Sequence, residues 1–249
     1  MPPGPSVDGV RVIVSGGTSG IGAASARLLA ERGARVWILG SRDETVAHAL
    51  GTVPDLVGGA VCDVRDAAAV ESAVSTAAGA MGGLDGAFVN AGIDGIGSNV
   101  LEIPSDVFRR VLDVNVVGAF NVAKEAALAI RGHPGAIVLN ASVNGLRAER
   151  LFADYNASKA AVVSLSQTMA LELAPEGIVV TAICPGYIPT RMTEQYIADD
   201  DTARELIADI PARRFGTAGE VAELVCFLLS PAAGYMAGAV LSIDGGRSV

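Results

Sequence analysis

Tyr155 and Lys159 stand four residues apart in Tyr155-Asn156-Ala157-Ser158-Lys159. That spacing puts both side chains on one face of a helix. A phenol with a pKa near 10 is a poor acid or base at neutral pH. A neighbouring ammonium favours the phenolate and lowers that pKa. The pair is therefore expected to take and give a proton near pH 7. Thirteen residues before Tyr155, Ser142 closes the run Asn140-Ala141-Ser142. A hydroxyl at the carboxyl edge of a sheet can hold a substrate oxygen. Y-x-x-x-K alone is a weak signal, but the chain has only two lysines, Lys124 and Lys159.

A second constellation lies near the start, in Ser15-Gly16-Gly17-Thr18-Ser19-Gly20-Ile21-Gly22. Glycines at 16, 20 and 22 permit a tight turn and close approach of the backbone to a pyrophosphate. A helix opening there offers free N–H groups and the positive end of its dipole. The spacing is G-x-x-x-G-x-G, and its weight comes from the strand–turn–helix context. A tight turn with no ligand is the bland alternative. No G-K-[ST] follows, which makes a P-loop ATPase a poor fit. Sites for NAD usually carry an acid about 20 residues on, at the end of the second strand. Here that strand closes in Leu39-Gly40-Ser41-Arg42, with Gly40 at the acid's position. Ser41 and Arg42 suit a 2′-phosphate, so NADP(H) is favoured over NAD(H). Asp43 keeps NAD(H) open, and Arg42 read blandly is a solvated surface charge.

These residues need a scaffold, and the hydrophobic pattern supplies one. Apolar β-branched runs predict strands at Val10–Ser15, Arg35–Leu39, Gly59–Cys62, Leu84–Asn90, Gly135–Ala141, Ile178–Cys184 and Ala239–Ile243. Their continuous hydrophobicity suits parallel strands covered on both faces. Helices are expected near 20–32, 66–80, 104–131, 152–174 and 217–229. Strict alternation implies right-handed βαβ units, hence a doubly wound parallel sheet in an α/β fold. Asp66 and Ser105 stand where N-caps belong, and Gly33 and Gly132 follow helix ends. Residues 1–8 read as a flexible tail and 9–249 as one domain. The polar stretch 187–215 follows a strand and reads as a substrate lid.

Composition narrows the partners. The chain has 249 residues, 51% apolar and 18% charged, with 18 basic against 27 acidic residues and a net charge of −9. No nucleic-acid partner is expected, since no basic footprint exists. No apolar run reaches the length that spans a bilayer, and no membrane partner is expected. The opening MPPGPSVDG lacks the regions of a signal peptide. Cys62, Cys184 and Cys226 are odd in number, widely spaced and free of any C-x-x-C pair. They read as small buried apolar residues in a reducing cytoplasm.

In order and spacing, residues 8–246 resemble the single-domain branch of the short-chain dehydrogenase/reductase family. The resemblance rests on the loop at 16–22, Asp63-Val64, Asn90-Ala91-Gly92, Asn115-Val116-Val117-Gly118, Ser142, Tyr155/Lys159 and Pro185-Gly186-Tyr187-Ile188-Pro189-Thr190. It implies a Rossmann-like sheet of about seven strands with helices on both faces. It also implies hydride transfer between a nicotinamide cofactor and a secondary alcohol or ketone. Tyr155 would be the acid/base, and Ser142 would hold the carbonyl or alcohol oxygen. Lys159 would bind the nicotinamide ribose and depress the tyrosine pKa. Asn115 would hold a water linking Lys159 to bulk solvent. Asp63 and Val64 would contact the adenine, and Asn90, Ala91 and Gly92 the adenosine and ribose. Pro185, Gly186, Ile188 and Thr190 would seat the nicotinamide. The family commonly assembles as a homotetramer or homodimer, and the apolar Tyr235-Met236-Ala237-Gly238 suits such burial. One departure is Val89, where the family usually has a first Asn before Asn-Ala-Gly.

Other candidates read blandly. His48 and His133 are the only histidines and leave little room for a His-based triad. No G-x-S-x-G elbow is present. Asp199-Asp200-Asp201 reads as a solvated helix cap, and no cluster has metal-ligand spacing. Asn144, Leu146, Arg147, Phe152 and Tyr187 are expected to face the substrate, which the sequence does not choose; Arg147 suits an anionic group there, or is exposed with Arg150. A catalytically weak cofactor sensor and a sugar-nucleotide epimerase or dehydratase are the alternatives to an oxidoreductase.

Overall fold

The computed structural model describes residues 6–249. Residues 1–5 of the expected tail lie outside the described residues. Val7 belongs to the core instead, at 1% exposure. Seven parallel strands form one sheet: β1 (Arg11–Ser15), β2 (Arg35–Gly40), β3 (Leu56–Val61), β4 (Gly86–Val89), β5 (Gly135–Asn140), β6 (Ile178–Pro185) and β7 (Val240–Ile243). Their order is β3-β2-β1-β4-β5-β6-β7. The order reverses between β1 and β4, and there an open sheet leaves a crevice at the carboxyl ends of its strands.

Helices cover both faces. On one, α1 (Gly20–Glu31), α2 (Asp43–Thr52) and α9 (Ala218–Leu228) contribute Ala26, Leu29, Ala49, Val221 and Val225 to a core with Val12, Val14, Val36 and Ile38. On the other, α3 (Ala67–Met81), α5 (Gly118–Ile130) and α6 (Ala153–Leu173) pack Val70, Val122, Ile130 and Val162 against Ile13, Ile137 and Val180. Two-sided burial explains the continuous apolar strands: Val12, Ile13 and Val14 are all fully buried.

Several boundaries moved. β3 starts at Leu56, three residues before the expected Gly59. The stretch holding His48 is α2, a helix whose buried residues are only Val46 and Ala49, too few for a periodic signal. The helix expected over 104–131 is α4 (Ser105–Leu112), a π-helical turn over Asp113–Val117, and α5. Ser105 is the first helical residue, because Pro104 holds the extended cap position (φ −64, ψ 139). Asp66 caps α3 as expected, accepting from the backbone N–H groups of Ala68 and Ala69. Asp199 caps α8 (Asp200–Ala208) through Thr202 N–H.

Candidate active site

β1 runs directly into the glycine loop. Gly16 (φ +64) and Gly20 (φ +53) adopt left-handed backbone that L side chains rarely take. A Cβ on Gly22 would sit 2.1 Å from Gly16 O and 2.5 Å from Asn90 Nδ2, so the loop and α1 close on a hydrogen there. Gly22→Ala is expected to destabilise the fold by about 1–3 kcal/mol, as overpacking does. Dinucleotide binding should weaken with it. Thermal melts and a cofactor fluorescence titration check both. Ser19 caps α1 in extended conformation with no side-chain cap hydrogen bond, leaving the first N–H groups of that helix for a ligand.

Asn90 stitches the strand ends together. Its Nδ2 donates to Ser15 O at 3.2 Å and Gly16 O at 3.1 Å, and Asn140 Nδ2 donates to its Oδ1 at 2.9 Å. The backbone N–H groups of Asn90 and Ala91 both donate to Ser15 Oγ. Val89, where the resembling family carries Asn, is a buried core residue at the end of β4.

Around this frame opens a cleft of about 1100 Å³. Gly16, Thr18, Ser19, Gly20, Ile21, Ser41, Asp63, Val64, Asn90, Ala91 and Gly92 line it. So do Ser142, Tyr155, Lys159, Pro185, Gly186, Ile188 and Thr190. Gly22 lies behind the lining, in the contact with Gly16. Arg42 also lies outside the lining, exposed as the N-cap of α2 beside Ser41. The Asp63 carboxylate is bound by the Arg65 side chain at 2.6 Å, which holds its pKa below the usual carboxylate range. Arg65, Arg110 and Arg191 also line the cleft and were not singled out by sequence.

Tyr155 and Lys159 lie on the first turns of α6, with Lys159 Nζ 5.5 Å from the Tyr155 ring centroid. Nζ donates to Asn140 O at 2.8 Å. Burial lowers the Lys159 ammonium to about pKa 8. The expected acidification of Tyr155 is corrected: burial raises its phenol above the ordinary value, Asp94 and Glu149 raise it further, and a Ser142 hydrogen bond opposes them. The reason is the cost of placing a phenolate among protein atoms beside two carboxylates. Ser142 Oγ also accepts from Asn144 N–H at 3.2 Å.

Asn115 sits in the π-helical turn at 1% exposure. Both its amide N–H groups are committed, to Ile93 O at 2.9 Å and Ser158 Oγ at 3.0 Å. Its Oδ1 accepts from Ile93 N–H at 2.8 Å. The side chain thus clamps the loop after β4 against α6.

Beyond Tyr155 a smaller cavity of about 170 Å³ is lined by Asp94, Ser142, Asn144, Glu149, Phe152, Tyr187, Tyr196 and Arg247, among others. Asn144, Phe152 and Tyr187 are where the sequence reading put them. Leu146 is instead 46% exposed, and Arg147 donates to the backbone carbonyl of Arg247. Asp94, Glu149, Tyr196 and Arg247 were missed. Nothing in local spacing marks them, since they come from four separate segments. Ser142, Tyr155 and Asp94 line both the cleft and this cavity.

A fold with its reversal point at β1/β4, a glycine-turn cleft there, and a serine, tyrosine and lysine where cleft meets cavity defines a dinucleotide-linked oxidoreductase. A family profile described as "Enoyl-(Acyl carrier protein) reductase" matches residues 16–248. The chain is 36% identical over 246 residues to "2-(S)-hydroxypropyl-CoM dehydrogenase 3" of Xanthobacter autotrophicus, covering 95% of this chain and 96% of that protein. A solved NAD+-bound xylitol dehydrogenase is 34% identical with TM-score 0.89, covering 96% of this chain and 99% of that one. A solved "putative NAD(P) dependent gluconate 5-dehydrogenase from Beutenbergia cavernae", with NADP bound at low occupancy, is 34% identical with TM-score 0.90. That match covers 98% of this chain and 99% of that one. The chain belongs to the short-chain dehydrogenase/reductase family. It is an NAD(P)-dependent oxidoreductase of alcohols and ketones.

Proposed function

We propose that this protein reduces a ketone to a secondary alcohol, with Tyr155 giving the proton and Ser142 holding the oxygen. The observation that carries the reading is that Ser142 and Tyr155 line both the large cleft and the small cavity. A hydroxyl and a phenol are thus placed to face a dinucleotide and a substrate together. A phenol held protonated by burial is in the form that donates. When bound, the nicotinamide dinucleotide supplies the hydride.

The cradle fits that cofactor. The α1 N-terminus and the loop at Gly16 and Gly20 would take the pyrophosphate, Asn90, Ala91 and Gly92 the adenosine and ribose, and Asp63 and Val64 the adenine. Lys159 would bind the nicotinamide ribose hydroxyls as a cation. Pro185, Gly186, Ile188 and Thr190 would seat the nicotinamide. Asn115 acts as a positioning residue, fixing Ile93 and, through Ser158, the turn that carries Tyr155. A screen of carbonyl compounds with NADPH and NADH, followed by cofactor absorbance, tests the reading. Turnover of a ketone supports it, and exclusive turnover of carbon–carbon double bonds would refute it.

NADPH is the favoured cofactor, because Ser41 and Arg42 flank Gly40 where an acid would otherwise bind the ribose. The Arg42 guanidinium has no partner among the described residues. Arg42→Ala is expected to weaken NADPH binding about tenfold or more, the scale of a charge-assisted hydrogen bond. NADH binding should change less than twofold, and equal losses would reject the assignment. The segment 187–215 carries α7 (Glu194–Ile197) and α8, and brings Met192, Thr193, Tyr196, Thr202 and Leu206 over the cavity. We read it as the substrate lid. Val117, Phe120, Leu128 and Leu171 stay exposed on the helices α5 and α6 and the π turn, and Tyr235 is fully exposed before β7. Such surfaces suit burial in a homotetramer or homodimer. A sedimenting monomer at micromolar concentration would exclude that assembly. The three cysteines are free and buried, in keeping with a cytoplasmic setting.

A further inference from the structure

The small cavity carries charges that the reaction itself does not need. Asp94 enters from the loop after β4 and Glu149 from the loop before α6. Both line the cavity with Ser142 and Tyr155, and both act electrostatically on the Tyr155 phenol, so both flank the place where the carbonyl oxygen is protonated. Asp94 acts on Lys159 as well. Their hydrogen bonding differs. Glu149 is engaged on both oxygens, by the Tyr187 hydroxyl and by Asn144 Nδ2 at 3.1 Å. Arg247 adds an ion pair to it at 3.3 Å. Asp94 accepts only from Tyr196 OH at 2.8 Å and Gly95 N–H at 2.9 Å, one bond to each oxygen. A carboxylate has about four lone-pair sites, so Asp94 keeps acceptor capacity facing the cavity.

Arg247 is the one cation lining this cavity among the described residues. It offers little to an anionic substrate. Its guanidinium lies 4.6 Å from the Tyr187 ring centroid and pairs with Glu149 and Asp209 at 3.3 Å each, with its side chain only 8% exposed. Three carboxylates thus surround one buried guanidinium and one reacting phenol. Phe152 and Tyr196, edge to face at 5.8 Å, complete an apolar wall.

We propose that Asp94 selects uncharged substrates bearing a hydroxyl beside the reacting carbon, so that the protein interconverts hydroxyketones and diols and rejects anionic carbonyls. The substrate hydroxyl donates to the Asp94 carboxylate while the carbonyl oxygen sits on Ser142 and Tyr155. A substrate carboxylate would meet Asp94 and Glu149 with no free cation to offset them. This rests on the assignment of Tyr155 as the proton donor.

Three probes of nearly equal size test it: 1-hydroxybutan-2-one, butan-2-one and 2-oxobutanoate, each with saturating NADPH or NADH. A hydrogen bond to a charged group discriminates by roughly ten- to a hundredfold. The kcat/KM for 1-hydroxybutan-2-one is expected to exceed that for butan-2-one by at least that lower figure, with 2-oxobutanoate the poorest of the three. In Asp94→Leu the ratio of the first two should fall to about one. In Asp94→Asn, 2-oxobutanoate should gain about tenfold relative to butan-2-one. These ratios are internal to each variant, so a merely structural role for Asp94 does not move them. Equal rates on the two neutral ketones, preference for 2-oxobutanoate, or an unchanged ratio in Asp94→Leu overturns the proposal and leaves the enzyme class standing. So does turnover in the wider screen that omits all three probes. Absence of turnover with any carbonyl compound overturns the Tyr155 assignment itself.

Discussion

Tyr155→Phe is expected to lower kcat for carbonyl reduction by about a thousandfold, in the range that a positioned general acid contributes. Nicotinamide binding should stay within a few-fold, because the ring remains and only its hydroxyl is lost. Tyr155 lines both cavities, and its phenol is held protonated. Ser142→Ala should cost about a hundredfold or more, the scale of losing one oxygen-holding donor. Steady-state rates beside a fluorescence titration separate chemistry from binding. Retention of a tenth of wild-type kcat in Tyr155→Phe would move the proton donor to another residue.

Lys159→Met should have opposite effects on activity and stability. The folded pKa of Lys159 is lowered from 10.5 to about 8 by burial. A depressed lysine pKa means that the charged form is disfavoured by folding. That penalty is full below pH 8 and is relieved as pH rises toward the unfolded value. At neutral pH it is roughly 3 kcal/mol by linkage. Loss of the bond from the charged ammonium to Asn140 O takes back about 2 kcal/mol. The variant should therefore melt about 2–4 °C higher at pH 7 than the parent, a gap that narrows between pH 8 and 10. Its kcat/KM should fall about a hundredfold, as for loss of a preorganised charged donor. Calorimetry across pH checks the first expectation. A lower melting temperature at pH 7 would show that the bond to Asn140 outweighs the buried charge.

What the sequence made legible was whatever lies close along the chain. Gly16, Gly20 and Gly22 announce a turn because within seven residues two positions need left-handed backbone and a third has no room for a Cβ. Tyr155 and Lys159 announce a shared helix face because four residues make one turn. The strands were legible because burial on both faces leaves no polar alternation to confuse them. The helix α2 showed only as a helix-like stretch around His48 with no clear bounds, since only Val46 and Ala49 of its ten residues are buried. The π turn at Asp113–Val117 was read as unbroken helix, because its apolar run differs from an α-helix by one hydrogen-bond register. Asn115 stood out as a polar residue there, but its partners Ile93 and Ser158 are 22 and 43 residues away. Asp94, Glu149 and Arg247 share no spacing at all, and only the folded topology brings them to one cavity. The electrostatics of Tyr155 were misjudged for the same reason. Lys159 is its neighbour in sequence, but the deciding influences are burial and two acids from elsewhere in the fold.

The pH dependence of carbonyl reduction is the decisive measurement, with kcat followed from pH 6 to pH 10 at saturating cofactor. A neutral Tyr155 as donor and a charged Lys159 as ribose ligand predict a plateau from pH 6 to near 8, where Lys159 loses its proton, and a decline above it. The decline should be absent from the residual activity of Lys159→Met. A rate that climbs steadily from pH 6 to pH 10 would mean that the reactive form is the phenolate, and would contradict proton donation by Tyr155.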